Sequence, residues 1–165
     1  MFQVAKRTES ITKADRSGRP VAGAVALREH QAMPSIWSQL MLVVSDVERS
    51  SRFYCEVVGL ESGHGGDEYE QLLHDGEIVM QLHDDGTDDH HGPLADAEVA
   101  RGNGTLVWFE VADFDATVER AKASGASIER DVHENPNAQQ QELWIRDPDG
   151  YRVVLAGPSA YRPRS

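Results

Sequence analysis

The sequence predicts an α+β fold made of two copies of one strand, helix and hairpin unit, whose half-sheets close on each other around a concave cleft. Three observations predict it. An apolar strand-like run leading into an Asp-capped helix that stops at glycine occurs twice, with Asp46 to Asp113 a shift of 67 residues and Gly59 to Gly125 a shift of 66. Each copy ends in a hairpin around an Asp-Gly turn, Asp75-Gly76 in the first and Asp147-Pro148-Asp149-Gly150 in the second. The 165 residues are one domain's worth of chain, and 39% apolar against 27% charged content is that of a globular protein with a real core.

Residues 1–34 read as a flexible extension that carries no chemistry. Lys6, Arg7, Lys13, Arg16, Arg19 and Arg28 outnumber Glu9, Asp15 and Glu29 there, and Met33-Pro34 immediately precedes the first strand-like run. Val21 to Leu27, the one stretch resembling a signal core, is short and follows a polar segment, which argues against secretion. Ile36 to Val44 then reads as a buried strand, and Ser45-Asp46-Val47-Glu48 as a capping box. The helix it opens runs to Gly59, with Val47, Tyr54 and Val58 on one face and Glu48, Arg49, Arg52 and Glu56 away from it. Glu68 to His74 and Glu77 to His83 pair around Asp75-Gly76, with Met80 facing the helix beside Ile78 and Leu82 as core.

The second copy follows the same order. Thr105 to Val111 is a strand, Asp113 caps a helix that buries Phe114, Val118 and Ala121, and Gly125 ends it. Ser127 to Val132 is the next strand, and Glu142 to Arg146 pairs with Tyr151 to Ala156. The domain spans 35–158, with modules at about 36–92 and 104–158 and a C-terminal tail over 159–165.

Charge and cysteine content narrow the functions. With 28 acidic against 16 basic side chains the chain carries −12, which repels phosphate backbones and argues against a general nucleic-acid binder. No apolar run approaches the 18 to 20 or so residues of a membrane helix, so no membrane partner is expected. Cys55 is the single cysteine, which leaves no intrachain disulfide or thiolate zinc site and suits a reducing compartment, the cytoplasm by default.

The repeated units, the stretch Val44-Ser45-Asp46-Val47-Glu48-Arg49-Ser50-Ser51-Arg52-Phe53-Tyr54 running to Val58-Gly59-Leu60, and Asp147-Pro148-Asp149-Gly150-Tyr151 together resemble the vicinal oxygen chelate superfamily. This group includes glyoxalase I, extradiol dioxygenases, fosfomycin-modifying enzymes and bleomycin-resistance proteins. The resemblance implies two βαβββ modules forming an open, barrel-like mixed sheet around the cleft. In the metalloenzyme members it also implies four side chains, from equivalent strands, holding a divalent ion. Those positions fall by resemblance on Gln39, Gln81, Leu106 and Val154. Two amides and two hydrocarbons are poor ligands for zinc, nickel or iron, so no metal and no cofactor are expected. Shifting the register by one gives Leu40, Leu82, Val107 and Leu155; shifting by two brings in His83 beside Met41, Trp108 and Ala156, a single donor.

Other residues have a functional and a plainer reading. His83, His90 and His91 with Asp84, Asp85, Asp88 and Asp89 form the densest potential ligand cluster, but their Gly-bounded, aperiodic segment reads as a solvated loop. Alternation puts Leu106, Trp108 and Glu110 on the cleft face, where Glu110 is the candidate general base or counter-charge, or simply a strand-end charge. Trp108 and Trp144 offer stacking faces or packing, and the facing of Trp144 is open. Met41 shares the face of Gln39. Cys55 reads as a small buried hydrophobe. No Ser-His-Asp or Cys-His constellation or phosphate loop is visible, so covalent catalysis and nucleotide binding have no support.

The expected function is metal-independent binding of an organic, aromatic or cationic ligand in the cleft, as in the bleomycin-resistance proteins the chain resembles. Gln39 and Gln81 supply hydrogen bonds, Trp108 and Trp144 stacking, Met41, Leu106 and Val154 apolar lining, and His83 and Glu110 polar contacts. The resemblance implies a homodimer whose clefts are completed by the second chain. The alternatives are a glyoxalase-, dioxygenase- or isomerase-like enzyme with a rearranged or absent metal site, and an interaction domain whose cleft is filled by its own side chains.

Overall fold

Parallel strands cannot be joined by a tight turn and need a crossover, which is the service each helix performs here. In the first module β1 (Leu40–Val44) leads through α1 (Val47–Phe53) and a wide π-helical turn (Tyr54–Val58) to β2 (Glu61–Ser62), β3 (Tyr69–His74) and β4 (Glu77–Asp84). In the second, β5 (Leu106–Glu110) leads through α2 (Phe114–Ala123) to β6 (Ser127–Asn135), β7 (Gln140–Arg146) and β8 (Arg152–Ala156). The two sheets have the same strand order, β1-β4-β3-β2 and β5-β8-β7-β6, with one parallel pair each, β1/β4 and β5/β8. Both are open four-stranded sheets and not closed barrels. These elements come from a computed structural model that describes residues 38–86 and 92–160. The extension 1–34, Ile36, Asp88, Asp89, His90, His91 and the tail from 161 onward lie outside the described residues. Among the described residues no helix is long and apolar enough to cross a membrane.

Local chemistry accounts for the element boundaries. Asp46 accepts the Arg49 N–H at 2.8 Å and Asp113 the Ala116 N–H at 3.0 Å, each a side-chain N-cap. The first cap is therefore Asp46 and not Ser45, whose own N–H goes to Asp149 Oδ1 at 2.9 Å. Gly59 closes the first helix at φ 90°, a left-handed position that glycine adopts without a Cβ clash. Asp75 and Gly76 have φ of 52° and 80°, the paired positive angles of a type I′ hairpin. β1 is described as a strand only from Leu40, and β6 runs on to Asn135, three residues past its predicted end. β2, two residues paired with Leu72 and Leu73, is too short to leave a periodic signal.

The core lies on the helix side of both sheets. Leu42, Val44, Leu72, Met80 and Leu82 meet Val47, Tyr54 and Val57, and Val107, Leu143, Ile145, Val153 and Leu155 meet Phe114, Val118 and Ala121. Met80 is core, as its alternation predicts. Val57 rather than Val58 is the fully buried valine, because the π-helical turn is covered by α2 as well as by its sheet. Arg120 of α2 reaches its carbonyl end, donating from Nε to Val57 O at 3.3 Å and from Nη2 to Val58 O at 3.4 Å.

The modules join through this helix side. The rings of Tyr54 and Phe109 lie 6.2 Å apart, and Tyr54 Oη donates to Asp147 Oδ2 at 2.9 Å. Tyr151 Oη donates to Val43 O at 2.9 Å, and Ser50 Oγ to Asp149 Oδ2 at 3.3 Å. The Asp-Pro-Asp-Gly turn is thus a latch between modules as well as a hairpin. The other faces of the two sheets stay open, as expected of an open mixed sheet, with Met41 38%, Leu106 46% and Trp108 42% exposed.

Candidate functional site

On the open face of the first sheet, strand register assembles a polar relay. Met41 pairs with Gln81, Gln81 with Gln71, and His83 with Tyr69. Gln81 Nε2 donates to Gln39 Oε1 at 2.6 Å, Tyr69 Oη donates to Gln81 Oε1, and Gln71 Nε2 donates to Tyr69 Oη at 3.0 Å. His83 is nearly buried, edge-on to Tyr69 at 6.3 Å, with Nδ1 3.0 Å from Asp84 O and 3.1 Å from Asp84 Oδ1. Tyr69 and Gln71 were not among the predicted site residues. Alternation with buried Glu70 and Leu72 puts them on this face, but only register reveals their partners.

The open face of the second sheet is aromatic and charged. Trp108 pairs with Val154, and Val154 with Trp144, so the strand that sequence left unoriented turns Trp144 to the same face as Trp108. Val154, between two tryptophans in register, is fully buried and offers no open lining, a correction to its predicted role. Glu142 on this face is also fully buried, and the sequence reading missed it as well. Its Oε2 accepts Trp144 Nε1–H at 2.7 Å, its Oε1 accepts from Asn135 Nδ2, and His133 Nε2 lies 3.7 Å away. A buried carboxylate is tolerated only when its oxygens find donors, and these do. Glu129 takes Arg152 and, at 2.7 Å, Arg146 Nε; hydrogen bonding from Arg152, ahead of the Arg146 contact, holds its carboxyl below the usual range.

The chain's own cavities separate the predicted residues. Met41 lines a groove of about 380 Å³ with Val43, Leu94, Val99, Arg101 and Tyr151. Glu110, exposed at the end of β5, lines one of about 290 Å³ with Val58, Leu60, Val79, Phe109 and Arg120. Trp144 lines one of about 240 Å³ with Arg130, His133, Asn135 and Glu142. Cys55 is half-buried beside Ser51, Ser62 and Glu70, not enclosed in the core as predicted, and burial pushes its thiol up. Among the described residues no group of three or more His, Cys, Asp or Glu is placed to hold a metal ion.

A family model described as the Glyoxalase/Bleomycin resistance protein/Dioxygenase superfamily matches residues 37–155. The chain belongs to this superfamily. Its relatives include a lactoylglutathione lyase of Haemophilus influenzae, 28% identical over an alignment of 123 residues that covers 68% of this chain and 85% of that protein. Among solved structures, a glyoxalase-related enzyme from Fulvimarina pelagi superposes with a TM-score of 0.61 at 20% identity, covering 76% of this chain and 89% of that one. A lactoylglutathione lyase from Agrobacterium tumefaciens gives 0.59 at 22% identity, covering 79% and 99%. At these identities the structural likeness speaks for the fold.

Superfamily membership raises the question of a divalent ion. The pairs Met41–Gln81 and Trp108–Val154 occupy the same place in their sheets, so Gln39 with Gln81 and Leu106 with Val154 are equivalent positions. These residues do not fit such an ion. The two amides are bonded to each other, and the two hydrocarbons have no lone pair to give.

Proposed function

We propose that this chain is a small-molecule-binding member of its superfamily that works without a metal at the superfamily's usual position, in a cleft completed by a second copy of the chain. The observation that carries the reading is the Gln81–Gln39 hydrogen bond: an amide pair engaged with itself recognises neutral donors and acceptors instead of holding a cation. Gln39, Gln81 and His83 with the Tyr69 relay form one wall. Leu106, Trp108 and Trp144 form the other, and Met41 supplies apolar contact. A single cysteine is compatible with a cytoplasmic setting.

The open faces support homodimerisation. Met41, Val79, Leu106 and Trp108 are large apolar side chains left exposed on the two sheets, and their burial against a second copy removes apolar area from water. Light scattering is expected to give twice the chain mass for the native protein at micromolar concentration. The Trp108→Asp variant is expected to give the single-chain mass with an unchanged melting profile at low concentration, because the position is at the surface. A native protein that runs as a single chain contradicts the shared cleft.

The relatives named lactoylglutathione lyase favour a second reading, a glyoxalase-type enzyme. It would use acid-base groups of this chain, Glu110 or the Glu142–His133 pair, in place of the usual ion.

A further inference from the structure

Trp144 on β7 stands between Arg130 of β6 and Arg152 of β8, whose guanidinium carbons lie 5.4 and 5.1 Å from the centre of its ring. Both are cation–π distances. The indole N–H is held by Glu142, so the ring's edge is fixed as well. Trp144 is therefore already supplied with cations by its own chain, and a cationic ligand approaching it meets like charge.

The arginines of this face differ in what neutralises them. Arg146 and Arg152 share Glu129, whereas Arg130 has no carboxylate within ion-pair distance among the described residues. Arg130 lines the cavity of about 240 Å³ together with His133, Asn137 and Trp144. Two acids also line it. Glu142 is fully buried, with both oxygens taken by Asn135 and Trp144, and Glu134 is exposed to solvent. Among the described residues, the accessible cation of this cavity with no carboxylate partner is the Arg130 guanidinium, a planar fork of donors suited to oxyanions, with the exposed Glu134 as the cavity's accessible anion.

We infer that the second sheet is the anion-selecting wall of the cleft, and that the ligand is an organic molecule bearing an oxyanion, a carboxylate or sulfonate, received by Arg130. The inference rests on the reading that the chain binds a small organic molecule on these open faces, and it reverses the sign of the charge the composition suggests. With a net charge of −12 the chain repels anions at long range. Selection is then made by contact, within the 8 to 10 Å or so over which salt leaves such interactions intact.

Fluorescence titration with two aromatic probes tests this: 8-anilinonaphthalene-1-sulfonate as the anion and proflavine as the cation. The native protein is expected to bind the sulfonate saturably and at least about tenfold more tightly than the cation. Arg130→Gln is expected to weaken the sulfonate about tenfold and leave the cation unchanged, and Arg130→Lys to keep part of the affinity. Preference for the cation, or sulfonate binding indifferent to Arg130→Gln, overturns the anion assignment while organic binding stands. Saturable binding of neither probe overturns both.

Discussion

Glu70→Gln is expected to lower the unfolding free energy by about 3 kcal/mol at neutral pH and by progressively less below pH 5 or so. The Glu70 carboxylate is buried at the base of the loop that links β2 to β3. Oε2 accepts the hydroxyls of Ser62 at 2.6 Å and Ser51 at 3.1 Å, and Oε1 accepts the N–H groups of Gly65 at 2.8 Å, Gln71 at 2.9 Å and His64 at 3.0 Å. Burial alone raises its pKa, but the donors of Ser62, Gly65, His64 and Ser51 win and hold it at about 2, against an ordinary value of 4.5. A carboxyl depressed on folding contributes its full stability above its unfolded pKa and loses it as pH falls toward the folded one. Glutamine also turns an NH₂ toward a ring of donors. Urea denaturation of both proteins at pH 7, 5, 4 and 3 is expected to show a gap that is constant down to pH 5 and narrows below it. A gap independent of pH contradicts the role given to the carboxylate.

Tyr54→Ala should cost about 4 kcal/mol, near the top of what a buried aromatic truncation does, and Tyr54→Phe about half of that. Tyr54 has no exposed surface, and its ring contacts both Phe53 and Phe109. Its hydroxyl is the side-chain partner of Asp147, whose other oxygen takes the N–H groups of Tyr151 at 2.8 Å and Asp149 at 3.0 Å. Burial pushes the Asp147 carboxyl above its usual range despite these donors, so taking one away leaves a costly buried oxygen. In a double-mutant cycle of Tyr54→Phe with Asp147→Asn, a coupling above about 1 kcal/mol is expected. Additive losses would mean that the Tyr54–Asp147 hydrogen bond does not help to hold the modules together.

The features legible in the sequence are those set by neighbours along the chain. Asp46, Asp113 and Gly59 act within one helical turn, and Asp75-Gly76 within one hairpin, so each carries its own signal. Leu143 and Ile145, both fully buried, mark the helix side of β7 and so turn Trp144 and Glu142 to the other face, an orientation the sequence left open. What sequence does not carry is the partner across space. Glu61–Ser62 is a strand only because Leu72 and Leu73 lie beside it, and Val57 is buried because α2 packs where a lone amphipathic helix meets solvent. The site divides the same way: Gln39 and Gln81 follow from offsets along the chain, whereas the Tyr69 relay and the Arg130–Trp144–Arg152 stack depend on registers with bulges between Leu72 and Leu73 and between Ile128 and His133.

The most direct measurement is the metal content of protein purified without a histidine tag, followed by melting curves with nickel, zinc, manganese and iron(II). A self-bonded amide pair and two hydrocarbons are expected to leave the protein with far less than one ion per chain and with no shift in melting temperature. Near-stoichiometric metal that is lost in the Gln39→Ala and Gln81→Ala variants would contradict metal-independent binding and establish a metal-dependent site in its place.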